Sequence, residues 1–164
     1  MDAAGWTSVD EVLRVIGFDR ERLVQVVRDN TKQRLQLDGD RIRACQGHST
    51  DNPFVRVDAL EKSWRRYDAD EKFFHGTRAD LVPVIRRDGL KPMGRTHVHC
   101  AASPDSRVGK RASVDVLLVI EPTLVRAEDL DIFVSPNGVI LVRRVPPSAI
   151  VDVLPRPAML SRSR

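Results

Sequence analysis

The stretch that most limits how this chain can fold is Val114-Asp115-Val116-Leu117-Leu118-Val119-Ile120, an almost unbroken apolar run of strand length. A strand with one wet face alternates apolar and polar residues. A strand apolar at nearly every position has to be covered on both sides, so this segment predicts a central strand. Its companions are short. Lys72 to His75 and Val98 read as strands, and Ile150 to Leu154 closes the sheet. Phe133 and Val139 to Val145 flank Pro136-Asn137-Gly138, and Asn-Gly between apolar runs signals a hairpin. One helix is expected from about Ala79, with Leu81, Val84 and Ile85 on one face and Pro83 in its first turn. Asp88-Gly89 ends it.

The N-terminal third has a different pattern. Ser8-Val9-Asp10-Glu11 has the form of a capping box, followed by Val9, Val12, Leu13 and Ile16 at helical spacing and a stop at Gly17. Asp19 can cap a second helix with Leu23, Val26 and Val27 on its buried stripe. Leu35 and Leu37, then Ile42 and Ala44, alternate with polar neighbours around Asp38-Gly39-Asp40, which makes a β-hairpin. Two helices and a hairpin look like a winged-helix module. If Ile42 and Ala44 face the core, Arg41 and Arg43 point the other way, and Arg43 is free for a ligand between lobes. The Trp64-Arg65-Arg66-Tyr67 stretch then gives way to an acidic connector. The expected division is therefore a winged-helix-like lobe over 1–66, a mixed lobe of short strands over 67–155, and a frayed tail over 156–164. The fold class is α+β.

Composition excludes several functions. No run reaches the roughly 18 apolar residues of a membrane helix. Met1-Asp2-Ala3-Ala4-Gly5 is no secretory signal, so a cytoplasmic protein is expected. Cys45 and Cys100 are the only cysteines and form no Cys-x-x-Cys pair, so both read as structural. The net charge of +4, from 27 basic and 23 acidic residues, is by itself a solvated surface. Arginines placed inside motifs turn it toward an anionic ligand.

Those motifs are Arg43-Ala44-Cys45-Gln46-Gly47-His48-Ser49, Phe73-Phe74-His75-Gly76-Thr77, Arg95-Thr96-His97-Val98-His99 and Val108-Gly109-Lys110-Arg111. Neither a Gly-x-Gly-x-x-Gly nor a Walker loop is present, so a dinucleotide would not be held in the Rossmann manner. His97 and His99 are two imidazoles without further ligands, which is not a metal site.

In their order and spacing these segments, with Gly5-Trp6 at the start and Asn137-Gly138-Val139-Ile140-Leu141 and Val145-Pro146-Pro147 near the end, resemble the RNA 2′-phosphotransferase family. The resemblance implies an ADP-ribosyltransferase-like second lobe and NAD as co-substrate, with no metal. It implies a two-step reaction. An internal RNA 2′-phosphate attacks the nicotinamide ribose and nicotinamide leaves, giving an ADP-ribosylated RNA 2′-phosphate. The ribose 2″-hydroxyl then attacks phosphorus, giving 2′-OH RNA and ADP-ribose 1″,2″-cyclic phosphate. A phosphate monoester is already anionic at neutral pH, so this chemistry calls for arginines and histidines more than for a carboxylate. The glutamate of many ADP-ribosyltransferases has no counterpart here.

By motif, the resemblance assigns Arg43, His48 and Arg111 to catalysis and Gln46, Gly47 and Ser49 to the RNA, and Arg41, on the same hairpin strand, is expected to join them there. It assigns His75, Gly76, Thr77, Arg95, His99 and Ser103 to NAD. Lys110 reads as solvated, Trp6 as core and Asn137-Gly138 as a turn. The chain keeps Arg and Val-His in its third motif, but Cys100-Ala101 replaces the family's Leu-Ser. The family's N-terminal Leu-Arg-His helix, whose arginine and histidine belong to its catalytic set, has no match before Gly5-Trp6. The expected partners are a tRNA-like RNA carrying a 2′-phosphate and NAD, with the protein a monomer. Two alternatives stand beside this: an ADP-ribosyltransferase acting on nucleic-acid phosphates without the second step, and a weakly catalytic RNA- or NAD-binding module.

Overall fold

The computed structural model describes residues 1–106, 108–109 and 114–155. Lys110, Arg111 and the tail 156–164 lie outside the described residues. Those described form three small antiparallel sheets and five α-helices, an α+β chain. No helix among them is long and apolar enough to cross a membrane.

At the N-terminus, β1 (Thr7–Ser8) runs into α1 (Val9–Ile16), which Gly17 ends by adopting φ 70° and donating its N–H to Leu13 at 2.9 Å. In α2 (Arg20–Asp29) the Asp19 carboxylate accepts the Arg22 N–H at 2.7 Å, the cap its sequence predicts. β2 (Leu35–Asp38) and β3 (Arg41–Ala44) then pair around Gly39-Asp40, with Asp38 opposite Arg41. β1 adds to the far edge, giving the order β1-β3-β2 over a core of Val9, Leu23 and Ile42.

Two local expectations fail here. The Ser8 side chain makes no cap, and Glu11 instead accepts the Thr7 hydroxyl at 2.8 Å. The helix start is docked on the hairpin turn, Val9 N–H to the Asp40 carbonyl at 2.9 Å. Ile16 and Val26 are exposed, because so small a sheet cannot cover both helical stripes to their ends.

α3 (Val57–Ser63) follows, then β4 (Arg65–Arg66), β5 (Phe73–Thr77), and a 3-10 turn at Ala79–Leu81 leading into α4 (Val82–Asp88). The tighter turn puts Leu81 out of α-helical register. Ile85 is buried with Val82 packed beside it three residues back, while Leu81 and Val84 face solvent, contrary to the expected stripe. The remaining elements are β6 (Val98–Cys100), β7 (Val116–Ile120), α5 (Pro122–Arg126), β8 (Ile132–Val134), β9 (Ile140–Val142) and β10 (Ile150–Pro155).

β7 is the central strand of β10-β7-β5, and Leu117, Leu118, Val119 and Ile120 are all buried. The second sheet, β4-β8-β9-β6, supplies Val98, Cys100, Ile132, Ile140 and Val142 to a core shared with Phe73, Leu118 and Ile120. Its alternate residues point the other way. Phe133 and Leu141 meet Leu60 of α3 and Trp64 just after it, so the four-stranded sheet lies between a sheet and a helix. Full burial of each such side chain stabilises by roughly 1.5–3 kcal/mol. α3 and β4, which no sequence pattern announced, thus carry residues 57–66 onto strands of the C-terminal part.

Candidate active site

Three of the four motifs are joined by backbone hydrogen bonds. Ser49 forms an antiparallel bridge with Arg95, Thr96 N–H donates to the His48 carbonyl at 3.1 Å, and Thr50 N–H donates to Gly94 at 3.2 Å. Phe74 and Ala101 exchange both of their bonds, at 2.8 and 2.7 Å, which ties β5 to the end of β6. Gly109 lies against that end. A Cβ there would fall 2.1 Å from the Cys100 carbonyl oxygen, so the Val-Gly dipeptide of the fourth motif admits no larger residue. Arg111, two residues on, is outside the described residues.

Arg43 is 5% exposed, not the open side chain that strand alternation suggested. Its Nε donates to Gln36 Oε1 at 2.9 Å, and its Nη1 donates to Ser63 Oγ at 2.7 Å and to the Ala4 carbonyl at 3.3 Å. The guanidinium lies over the Trp6 ring, 4.4 Å from its centroid, and Arg41 approaches the same ring at 4.9 Å. Trp6, read as core, is a half-buried platform for two arginines. Every partner of Arg43 is neutral, and it pairs with no carboxylate among the described residues. Burial accordingly lowers its pKa, although arginine stays charged. An arginine this buried with no carboxylate in contact is uncommon, and Asp2 and Asp38 act on it only at a distance.

Of the four histidines, His48 feels this charge, and the other three lie near one another around His99. His48 Nε2 is the only fully buried side-chain nitrogen or oxygen left without a partner among the described residues. Burial, then the Arg43 charge, lower the pKa of its ring, and the ring is neutral at pH 7. His99 Nδ1 meets Arg95 Nη1 at 2.6 Å. Arginine can only donate, so the His99 proton sits on Nε2. Burial, followed by Arg95 and then the other three imidazoles, pushes His99 down to about 3. His75 Nδ1 lies 2.9 Å from the His99 carbonyl, which can only accept, so His75 carries its proton on Nδ1. The two rings therefore hold opposite tautomers.

His97 precedes β6 and does not share a strand face with His99. It is buried, T-shaped against Trp64 at 5.0 Å, with Nε2 on Glu61 at 3.0 Å and Nδ1 on the Thr96 hydroxyl at 3.0 Å. Glu61 also accepts two bonds from Arg143, at 2.6 and 2.7 Å. Burial raises the Glu61 carboxyl, but these donors outweigh it and hold the group below its ordinary range.

The other expected site residues fall as follows. Gly47 (φ 89°) is exposed and faces the His99 ring, Gln46 is half-buried, and Ser49 is exposed with its Oγ accepting the Asp51 N–H at 3.1 Å. Arg41 is exposed and paired with Asp38 at 2.7 Å. Thr77 is buried, and Gly76 is backed by Val114, whose methyl would lie 2.9 Å from an added Cβ. Ser103 is exposed in a turn whose Ser106 N–H it accepts at 3.2 Å. Sequence reasoning missed Gln36, Ser63 and Glu61. Gln36 sits directly across the hairpin from Arg43, a pairing the register alone could have exposed. Ser63 and Glu61 belong to α3, which gave no signal.

Comparison with known proteins places the chain in a family. The model of the family described as "RNA 2′-phosphotransferase, Tpt1 / KptA family" matches residues 1–144. The chain is similar to a probable RNA 2′-phosphotransferase of Burkholderia lata, 40% identical over 160 residues, covering 89% of this chain and 76% of that one. Another of the same description from Pseudomonas syringae pv. tomato is 37% identical over 155 residues, covering 89% and 79%. One from Streptomyces coelicolor is 34% identical over 154 residues, covering 88% and 79%.

Proposed function

Since the chain belongs to the RNA 2′-phosphotransferase family, we propose that it removes an internal 2′-phosphate from a tRNA-like RNA in the two NAD-dependent steps set out above, releasing ADP-ribose 1″,2″-cyclic phosphate. The observation that carries this is Arg43, buried at 5% exposure with neutral partners only. A phosphate monoester with a second pKa near 6 supplies the missing anion, and needs positioning rather than a base. NAD, when bound, supplies the ribose carbon that becomes electrophilic as nicotinamide leaves.

The residues fit that division of labour. Arg43, with Arg111 from the fourth motif, compensates the phosphate charge. His48, neutral at pH 7, is the group its motif assigns to contact the transferring phosphate or a ribose hydroxyl. His99 Nε2–H is a fixed donor, because Arg95 holds the opposite ring nitrogen. His75, Gly76 and Thr77 line the dinucleotide side, with Ser103 at its edge. Arg41, Gln46, Gly47 and Ser49 face the RNA. In this reading the N-terminal sheet and its helices act as a winged-helix-like RNA lobe, and the paired sheets as an ADP-ribosyltransferase-like NAD lobe.

The test is incubation with a short RNA bearing one internal 2′-phosphate, with and without NAD, and products resolved by mass. NAD-dependent loss of the phosphate with appearance of the cyclic phosphate is expected. Arg43→Ala should lower the rate by about a hundredfold or more. Accumulation of ADP-ribosylated RNA would instead make the protein a one-step transferase, and absence of any product would leave it a binding module.

A further inference from the structure

Arg43 is held by an unusual set of contacts. Nε and Nη1 are committed to Gln36, Ser63 and the Ala4 carbonyl, and the planar face is committed to Trp6. Nη2 has no partner among the described residues. It is also not sealed, because the only sealed, unpartnered side-chain nitrogen or oxygen among them is His48 Nε2. One nitrogen of the fork is therefore neither partnered nor completely sealed, while everything else is fixed. Packing alone does not call for this pattern. A guanidinium needed only for structure would turn its remaining donors onto a carbonyl or a carboxylate, as Arg126 does with Tyr67, Ala69 and Asp70.

We propose that Gln36, Ser63 and Trp6 are positioning residues that orient Arg43 so that Nη2 meets the RNA 2′-phosphate, and that the cradle is kept free of carboxylates so that phosphate has no internal competitor. This rests on the function proposed above and adds to it which residues set the clamp. Each comes from a different element. Gln36 is on β2 across the hairpin, Trp6 immediately precedes β1, and Ser63 closes α3, where its own hydroxyl donates to the Leu60 carbonyl at 2.7 Å. With that proton spent on Leu60, the Ser63 oxygen is left as a pure acceptor for Arg43.

The informative variant is Gln36→Glu. It keeps the shape and the acceptor while placing a carboxylate on Nε. The cradle predicts that stability and phosphate binding then move apart. The melting temperature stays at or above that of the parent, while affinity for 2′-phosphorylated RNA falls by about tenfold or more. Affinity for the same RNA without the phosphate does not change. Ser63→Ala should weaken binding of the phosphorylated RNA in the same selective way, and Ser63→Thr should restore it. Gln36→Glu binding the phosphorylated RNA as tightly as the parent would overturn the proposal, as would equal losses for both RNAs. A parent that binds neither RNA would sink the proposed function instead. The cradle is then judged on the Arg43 Nε–H signal in ¹H–¹⁵N spectra, without any ligand. Protection from exchange in the parent and loss of it in Gln36→Ala upholds the cradle, and equal exchange in both refutes it.

Discussion

Gly5 shows how much of the site depends on single residues. It is buried at φ 82°, and a Cβ built on it would stand 2.7 Å from His48 Cε1. The imidazole occupies the space that the missing side chain leaves. Gly5→Ala should therefore destabilise by about 1–3 kcal/mol, from left-handed strain plus overpacking, and should also displace His48. Urea unfolding measures the first effect and the RNA assay the second. A loss of stability with unchanged turnover would show that the His48 ring position does not matter. At this scale the sequence was informative about type and poor about environment. Arg43 and His48 stood out by motif, yet strand alternation placed Arg43 in the open when it is buried against Trp6. Alternation tells which way a side chain leaves the strand. It cannot tell that the N-terminal residues return to cover that face.

Among the elements, α3 has the largest organising role and left the faintest trace. From its last turn Ser63 holds Arg43 and Glu61 ties His97 to Arg143, and from the residue after it Trp64 Nε1 donates to the Cys45 carbonyl at 3.1 Å. Glu61→Ala should cost about 1–3 kcal/mol, chiefly because buried His97 loses its partner. Arg143→Ala should cost under about 1 kcal/mol, since that side chain is 56% exposed and solvent takes over its role. Thermal unfolding of both variants checks the ordering, and equal costs would mean that the arginine, not the histidine, depends on Glu61. The stretch Val57–Ser63 is only seven residues with Leu60 as its one buried side chain, too short for periodicity to register. By contrast, the Asn137-Gly138 hairpin, the Asp19 cap, the Gly17 stop and the β7 core strand were all legible. In each of these a local residue preference and the tertiary packing favour the same conformation.

For the whole molecule, the buried imidazoles give stability a direction in pH. Burial lowers His48 and His97, the latter against the pull of Glu61, and pushes His99 down to about 3. Each of these groups takes up its proton at lower pH in the folded chain than in the unfolded one, where histidine protonates near pH 6.5. Stability is thus complete above about pH 6.5 and falls as pH drops toward 3, each histidine adding a slope of at most about 1.4 kcal/mol per pH unit. Urea midpoints at pH 7 and pH 5 measure this. A midpoint no lower at pH 5 would contradict the burial of these rings. The long-range bonds of the molecule also have a temporal side. Glu61 reaches His97 across 36 residues and Arg143 across 82, and Asn137 donates to the Lys32 carbonyl across 105. Closures of that length carry their entropic cost before any contact repays it, which makes them slow. On the ribosome, the motif around His48 emerges long before the strands that complete its surroundings. A nascent chain therefore carries the residues of the site without its geometry until β9 has been synthesised.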